Sequence, residues 1–122
     1  MSDQADAVTR EDLPIFVKWM DFVKWLLQTT DGFPKTARFT FSDRLTNLAL
    51  DIVEDLVEAR YSRKKSAILR HANLSLEKMR VLMRICFETR LLSHKAYAYA
   101  SKSINETGRM LGGWMKQAGG EI

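Results

Sequence analysis

The segment from Phe33-Pro34-Lys35 to Gly108-Arg109-Met110-Leu111-Gly112-Gly113-Trp114 determines the fold of this chain. Between these two ends, apolar residues recur every three or four positions in three long runs, which is the spacing of one face of an α-helix. Four of the six Gly residues lie in the last eleven positions, so the rest of the chain is almost free of helix breakers. The pattern predicts helices and no β-strand.

A fourth helix is expected upstream of this segment. It should begin near Thr9 as its N-cap and end at about Thr30, before the turn signal Asp31-Gly32-Phe33-Pro34. The other helices are expected over about 41–61, with Ser42 as N-cap, about 64–92, and about 93–116, with Ser93 as N-cap. Four amphipathic helices with short connections predict an all-α, antiparallel up-down four-helix bundle. The prediction is a single domain over residues 1–122, with residues 1–8 and 118–122 flexible.

The core positions of the last three helices follow from the helical spacing. They are Leu45, Leu48, Ala49, Ile52, Leu56 and Ala59 in the second helix, Ile68, Ala72, Leu76, Met79, Met83 and Cys86 in the third, and Tyr97, Ala100, Ile104, Gly108, Leu111 and Met115 in the fourth.

The first helix carries two apolar stripes, although a helix at the edge of a bundle needs only one. One stripe consists of Leu13, Phe16, Met20, Val23 and Leu27, and the other of Ile15, Trp19, Phe22 and Leu26. The surplus predicts a homo-oligomer whose subunits meet through Ile15, Trp19, Phe22 and Leu26. The alternative is a helix that is deeply embedded in its own bundle.

The composition limits the class of protein. The net charge of +4 is moderately basic, and the single Cys excludes an internal disulfide, which favours a reducing compartment. There is no apolar run of about 20 residues, so no membrane partner is expected. The N-terminus is polar and slightly acidic, unlike a signal peptide. We therefore expect a cytoplasmic protein.

We find no pattern typical of catalysis, of a metal site or of a cofactor site. Neither His71 nor His94 has a Glu three residues before it, as a dinuclear metal bundle requires, and neither follows an Arg at the spacing of four-helix ribonucleases of the HEPN type. Cys86 lies on a core stripe. Gly112 and Gly113 are interpreted as close helix packing or capping. The three Trp residues are interpreted as packing and interface anchors, with base stacking as the alternative; they are Trp19, Trp25 and Trp114.

The charge is unevenly distributed along the chain. Residues 41–61 carry a net charge of −3, whereas residues 63–90 carry +6. The excess of bases in the third helix predicts a surface for polyanions. The alternative is a solvated face on which Glu77 pairs with Arg80 or Arg84.

Several landmarks resemble Avd, the accessory protein family of diversity-generating retroelements. Besides the two ends quoted above, they are Leu56-Val57-Glu58-Ala59-Arg60-Tyr61, Leu69 to Asn73, and Leu76-Glu77-Lys78-Met79-Arg80-Val81-Leu82-Met83-Arg84. The chain is more distantly similar to the four-helix proteins encoded in ribosomal RNA intervening sequences.

The resemblance implies a homopentameric barrel of four-helix bundles without catalytic activity or cofactors. Such a protein binds the reverse transcriptase and its template RNA or DNA, in a bacterial host or phage-infected cell, and supports mutagenic copying. The residues predicted to bind nucleic acid or the enzyme are Arg63, Lys64, Lys65, Arg70, Arg80, Arg84 and Arg109. The alternative function is that of a structural or interaction bundle of the intervening-sequence type, without a role in nucleic-acid binding.

Overall fold

The structure, a computed structural model, describes residues 13–119. Within this range the chain forms four long helices and no strand: α1 (Pro14–Asp31), α2 (Asp43–Tyr61), α3 (Ser66–Glu88) and α4 (His94–Gly119). A one-turn helix, Lys35–Ala37, and a π-helical turn, Arg38–Ser42, lead into α2. α1 packs on α2 and α4, and α3 packs on the same two helices. With short connections between successive helices, this is the predicted four-helix bundle.

The start of α2 differs from the prediction. Ser42 was expected to be an N-cap, but its backbone is helical (φ −58°, ψ −50°) and its side chain makes no cap hydrogen bond. Its hydroxyl instead donates to the carbonyl oxygen of Thr30, at 3.3 Å, across the α1–α2 connection. The π-helical turn explains the difference, because it continues the helical backbone upstream of Asp43. The predicted N-cap Thr9 lies outside the described residues.

The end of α3 was predicted too late, at about Leu92. The helix ends at Glu88, and Arg90 adopts a left-handed conformation with φ 67°. The amide of Arg90 donates to the carbonyl of Phe87 (3.1 Å) and that of Leu91 to the carbonyl of Cys86 (2.8 Å), which is the hydrogen-bond pattern of a Schellman motif. That position usually holds Gly, so the sequence contains no clear stop signal here.

α4 begins as predicted and extends further. The Ser93 hydroxyl accepts a hydrogen bond from the Ala96 amide at 3.0 Å, which confirms Ser93 as the N-cap. The helix continues to Gly119, and Ala118, predicted to be flexible, is buried.

The predicted core stripes of α2, α3 and α4 face the interior. Most of their residues are fully buried, and Leu48, Ile68, Tyr97 and Met115 are half-buried beside them. Phe87 of α3 stacks on Tyr97 of α4 with ring centroids 4.5 Å apart. The helical spacing therefore predicted the core correctly in these three helices.

The two apolar stripes of α1 have the opposite roles from those predicted. Ile15, Trp19, Phe22 and Leu26, expected to contact another subunit, are at most 5% exposed within the single bundle. The indole N–H of Trp19 donates to the Ala49 carbonyl of α2 at 3.0 Å, and the ring of Phe22 contacts Trp25 of α1 and Tyr99 of α4. This stripe is buried because it faces the space between α2 and α4, the two helices on which α1 packs. Of the other stripe, Val23 is also buried, and Leu13, Phe16, Met20 and Leu27 are left on or near the surface.

An ion pair between His71 and Asp55 joins α3 to α2. The Nδ1 atom of His71 lies 2.6 Å from Oδ2 of Asp55, and this hydrogen bond, together with the negative charge of Asp55, raises the pKa of His71. Protonated His71 therefore stabilises the fold. The contribution is full below the ordinary histidine pKa of about 6.5 and is lost as the pH rises through the raised pKa.

We predict that His71→Gln destabilises the protein at pH 5.5 and not at pH 9. The expected difference at pH 5.5 is a few tenths of a kcal/mol to about 1 kcal/mol, because the histidine is exposed. Urea unfolding at both pH values measures it. His94→Gln is the matched control, since the His94 ring contacts Phe87 edge-on and His94 is in none of the ion pairs found among the described residues. Equal destabilisation by His71→Gln at the two pH values would contradict the prediction.

Candidate nucleic-acid and partner interface

The predicted basic residues are distributed along the bundle. Arg63 and Lys64 are exposed in the α2–α3 connection, Arg70 and Arg84 are exposed on α3, and Arg109 is exposed on α4. A helix of the length of α3 extends about 34 Å. The structure therefore distributes these residues over the α2–α3 connection and two helices and does not gather them into one cluster.

Lys65 is not part of this surface. Its ammonium group donates to the carbonyl oxygens of Ala59 (2.8 Å), Arg60 (3.4 Å) and Ser62 (2.5 Å). These carbonyls lie at the C-terminal end of α2, where a positive charge satisfies unpaired acceptors and suits the helix dipole. The prediction of Lys65 as a binding residue is corrected: it is a helix cap.

Arg80 and Arg84 form ion pairs within the bundle. The guanidinium of Arg80 donates to both carboxylate oxygens of Glu77, at 3.3 and 3.2 Å, and also to the side-chain oxygen of Asn105 on α4. Nε of Arg84 donates to Glu88 at 2.9 Å. Exposed pairs of this kind contribute little to stability because water and salt screen them, so a partner's carboxylate or phosphate can replace the internal one.

Three apolar residues share the outer face of α3 with these arginines. Leu74, Val81 and Ile85 are 53%, 59% and 38% exposed. Their helical positions place them beside Arg84 and Arg70. Arginines around exposed aliphatic side chains are typical of a protein–protein interface. Sequence reasoning missed these three residues, although apolar positions outside the core stripe are a signal that can be recognised.

The outer side of α4 carries a row of four exposed basic side chains, which we call the α4 ridge. It consists of Lys95, Lys102, Arg109 and Lys116, each seven residues from the next. A seven-residue spacing keeps side chains on nearly the same face of a helix. Only Arg109 was predicted as a binding residue. The regular spacing is the signal that identifies the other three.

The one acidic side chain on α4 is already paired. Glu106 forms an ion pair of 2.6 Å with Lys18 of α1, and the hydrogen bond from Lys18 lowers the pKa of Glu106. In the part of the chain that the structure describes, none of the four ridge side chains forms an ion pair with a carboxylate. The ridge therefore differs from α3, where Arg80 and Arg84 are paired.

Gly112 and Gly113 have no packing role in the bundle. A Cβ atom added to either would meet no atom within 4 Å, and α4 continues to Gly119, so they do not cap a helix end. The interpretation as close packing or capping is therefore wrong. Glycine inside a helix is less favourable than alanine by about 1 kcal/mol. The fold of the single chain does not require these glycines.

The structure also defines the chemical state of Cys86. The thiol is buried in the core, and burial raises its pKa to about 11, so it stays protonated near neutral pH.

Across residues 13–119, no group of three or more His, Cys, Asp or Glu side chains is arranged to hold a metal ion. None of the described helices is long and apolar enough to cross a membrane.

Comparison with protein families identifies a match that covers most of the chain. The family model described as bAvd-like matches residues 14–118, a range that includes α1, α2, α3 and nearly all of α4. No curated protein matches the chain. The match confirms the resemblance noted in the landmark sequences of the second, third and fourth helices. The chain belongs to the bAvd-like family.

Proposed function

We propose that this protein is a non-enzymatic accessory factor of a diversity-generating retroelement. It binds the reverse transcriptase and RNA or DNA and so supports mutagenic reverse transcription in the cytoplasm of a bacterial host or phage-infected cell. The observation that carries the proposal is the bAvd-like match over all four helices. Assembly as a homo-oligomer, a pentamer by resemblance to Avd, is part of the same proposal.

The outer face of α3 is the surface best suited to the reverse transcriptase. It combines Arg70, Arg80 and Arg84 with the exposed aliphatic side chains Leu74, Val81 and Ile85. Apolar contacts give such a surface affinity, and the arginines give it orientation through bidentate hydrogen bonds to carboxylates. The exposed residues Arg63 and Lys64 extend the positive charge beyond the first turn of α3.

A structural bundle of the intervening-sequence type is the second candidate. The internal pairing of Arg80 with Glu77 and of Arg84 with Glu88 favours it, because paired charges on a helix face also serve solubility alone. A reverse-transcriptase gene with a template and variable repeat beside this gene would support the first proposal. An intervening sequence of ribosomal RNA around the gene would support the second.

We predict that Arg80→Ala combined with Arg84→Ala weakens reverse-transcriptase binding tenfold or more, about 1.4 kcal/mol. Both side chains are at the surface, so melting temperature and particle size should stay close to those of the unmutated protein. The measurement is a titration of the purified protein against the reverse transcriptase of the same element, with RNA binding measured in parallel.

The matched control is Lys24→Ala with Arg38→Ala, which removes two exposed cations from α1 and from the α1–α2 connection. This control should bind as the unmutated protein does. Unchanged binding of both partners by the Arg80 and Arg84 variant would exclude this face as the site. A large loss of melting temperature would show that the two arginines act structurally.

A further inference from the structure

We infer that the α4 ridge is the track along which an unpaired strand of nucleic acid binds. The inference rests on the proposed function and adds a site to it, separate from the face of α3. Three features of α4 support it: the unpaired cations, the glycines between two of them, and an exposed aromatic ring beside the other two.

The spacing of the cations suits an extended phosphate backbone. With a rise of 1.5 Å per residue, neighbouring ridge residues are roughly 10.5 Å apart and the whole row spans roughly 31 Å. Residues 94–119 carry a net charge of +3, because Glu106 is the only acid among them. The hydrogen bond from Lys18 holds the Glu106 carboxylate, which lowers its pKa together with the nearby charges of Lys102 and Arg109, and none of the four ridge residues forms an ion pair with it.

Gly112 and Gly113 lie between Arg109 and Lys116 and leave the helix surface there without side chains. Their helical positions place them on the two sides of the ridge. A surface without Cβ atoms allows a sugar–phosphate backbone to approach the helix closely, while the side chains of Arg109 and Lys116 contact its phosphates. This gives the two glycines a role that packing within the bundle does not.

Tyr99 supplies an aromatic surface at the other half of the ridge. It lies between Lys95 and Lys102 in the sequence, is 42% exposed, and packs on Trp25 of α1 with ring centroids 4.7 Å apart. Exposed rings beside cations bind unpaired bases by stacking, with little dependence on sequence. In a duplex the bases are already stacked on one another, so this feature favours a single strand.

The ridge is less suited to a protein partner. Met110, the exposed apolar residue that follows Arg109 in the sequence, lines a groove with Leu13, Pro14 and Ile15 at the start of α1. Protein interfaces usually have an apolar centre, which the outer face of α3 has and the ridge does not. We therefore assign nucleic acid to α4.

Neutralising two ridge residues tests the inference directly. Lys102→Gln with Arg109→Gln should weaken binding of a 20-nucleotide single-stranded RNA of mixed sequence by about tenfold or more near 0.1 M salt. The log–log dependence of affinity on salt should become less steep by about 1.4, that is about 0.7 for each lost phosphate contact. Fluorescence anisotropy over a salt series measures both. Lys24→Gln with Arg44→Gln is the control, since it removes the same charge from exposed positions on α1 and α2.

A second variant adds bulk without changing charge. Gly112→Gln with Gly113→Gln should raise the melting temperature, because glutamine favours a helix and both positions open to free space. The same variant should bind the RNA several-fold more weakly. A rise in stability together with a loss of affinity distinguishes a binding role from a structural one.

The outcomes separate the inference from the proposed function. If both α4 variants bind RNA as the control does while the unmutated protein binds it well, the ridge is excluded and the proposed function stands. If the unmutated protein binds neither RNA nor DNA at low salt, both fail. If the variants lose the reverse transcriptase but keep RNA, the ridge is a protein surface. A preference for duplex over the single strand would overturn the assignment to unpaired nucleic acid.

Discussion

Trp19→Ala is expected to lower the free energy of unfolding by about 3–5 kcal/mol. The Trp19 side chain is fully buried, stacks on Phe22 with ring centroids 4.8 Å apart, and donates a hydrogen bond to the Ala49 carbonyl. Truncation removes the apolar contacts of the ring and leaves a cavity between α1 and α2. Small domains have a total stability of about 5–15 kcal/mol, so the variant should lose much of it. Urea unfolding followed by far-UV circular dichroism measures the change.

Trp19→Phe is the matched control for this effect. Phenylalanine keeps most of the ring volume but cannot donate to Ala49, so its destabilisation should be clearly smaller. Trp19→Glu should unfold the chain at neutral pH, because the carboxylate would be buried without a partner. If Trp19→Glu instead retained full helicity and only reduced the particle size, Trp19 would lie at a subunit interface and not in the core of the single bundle.

The helical spacing alone was enough to predict the interior of three helices. Leu45, Leu76 and Ile104 could be assigned to the core because each lies on a single apolar stripe with a polar face opposite. α1 has two stripes, and spacing cannot tell which one lies between the neighbouring helices. The three-dimensional arrangement of the helices was therefore needed to identify which stripe of α1 is buried.

Local backbone and side-chain geometry limited the other predictions. Arg90 ends α3 in a left-handed conformation that sequence patterns assign mainly to Gly and Asn. In the sequence, Lys65 is one of three consecutive basic residues, Arg63, Lys64 and Lys65. Only the distances from its ammonium group to three carbonyl oxygens identify it as a cap at the C-terminal end of α2. Arg80 and Arg84 illustrate the same limit, because net charge does not show which cations are already paired.

The apolar surface that remains on α1 continues onto α2. Met20 and Leu27 of α1 are 36% and 47% exposed, and Leu50 and Val57 of α2 are 45% and 42% exposed. Phe16 and Val57 line one pocket beside these helices, and Leu27 lines a second pocket near the α1–α2 connection. We call this surface the α1–α2 seam. The surplus apolar surface of the first helix therefore exists, but it consists of other residues than those predicted from the sequence. Under the proposed function, a second copy of the chain covers the α1–α2 seam.

Met20→Glu combined with Leu27→Glu is therefore expected to convert the oligomer to monomers at micromolar concentration. Buried carboxylates at the centre of an apolar interface should weaken association at least a hundredfold, about 2.8 kcal/mol. Helicity should persist, because both side chains are exposed in the single bundle. Light scattering measures the particle mass.

Leu74→Glu with Val81→Glu is the control: it adds the same charge to exposed positions on α3 and should keep the assembly while weakening reverse-transcriptase binding. A monomeric unmutated protein, or a seam variant of unchanged mass, would contradict assembly through the α1–α2 seam.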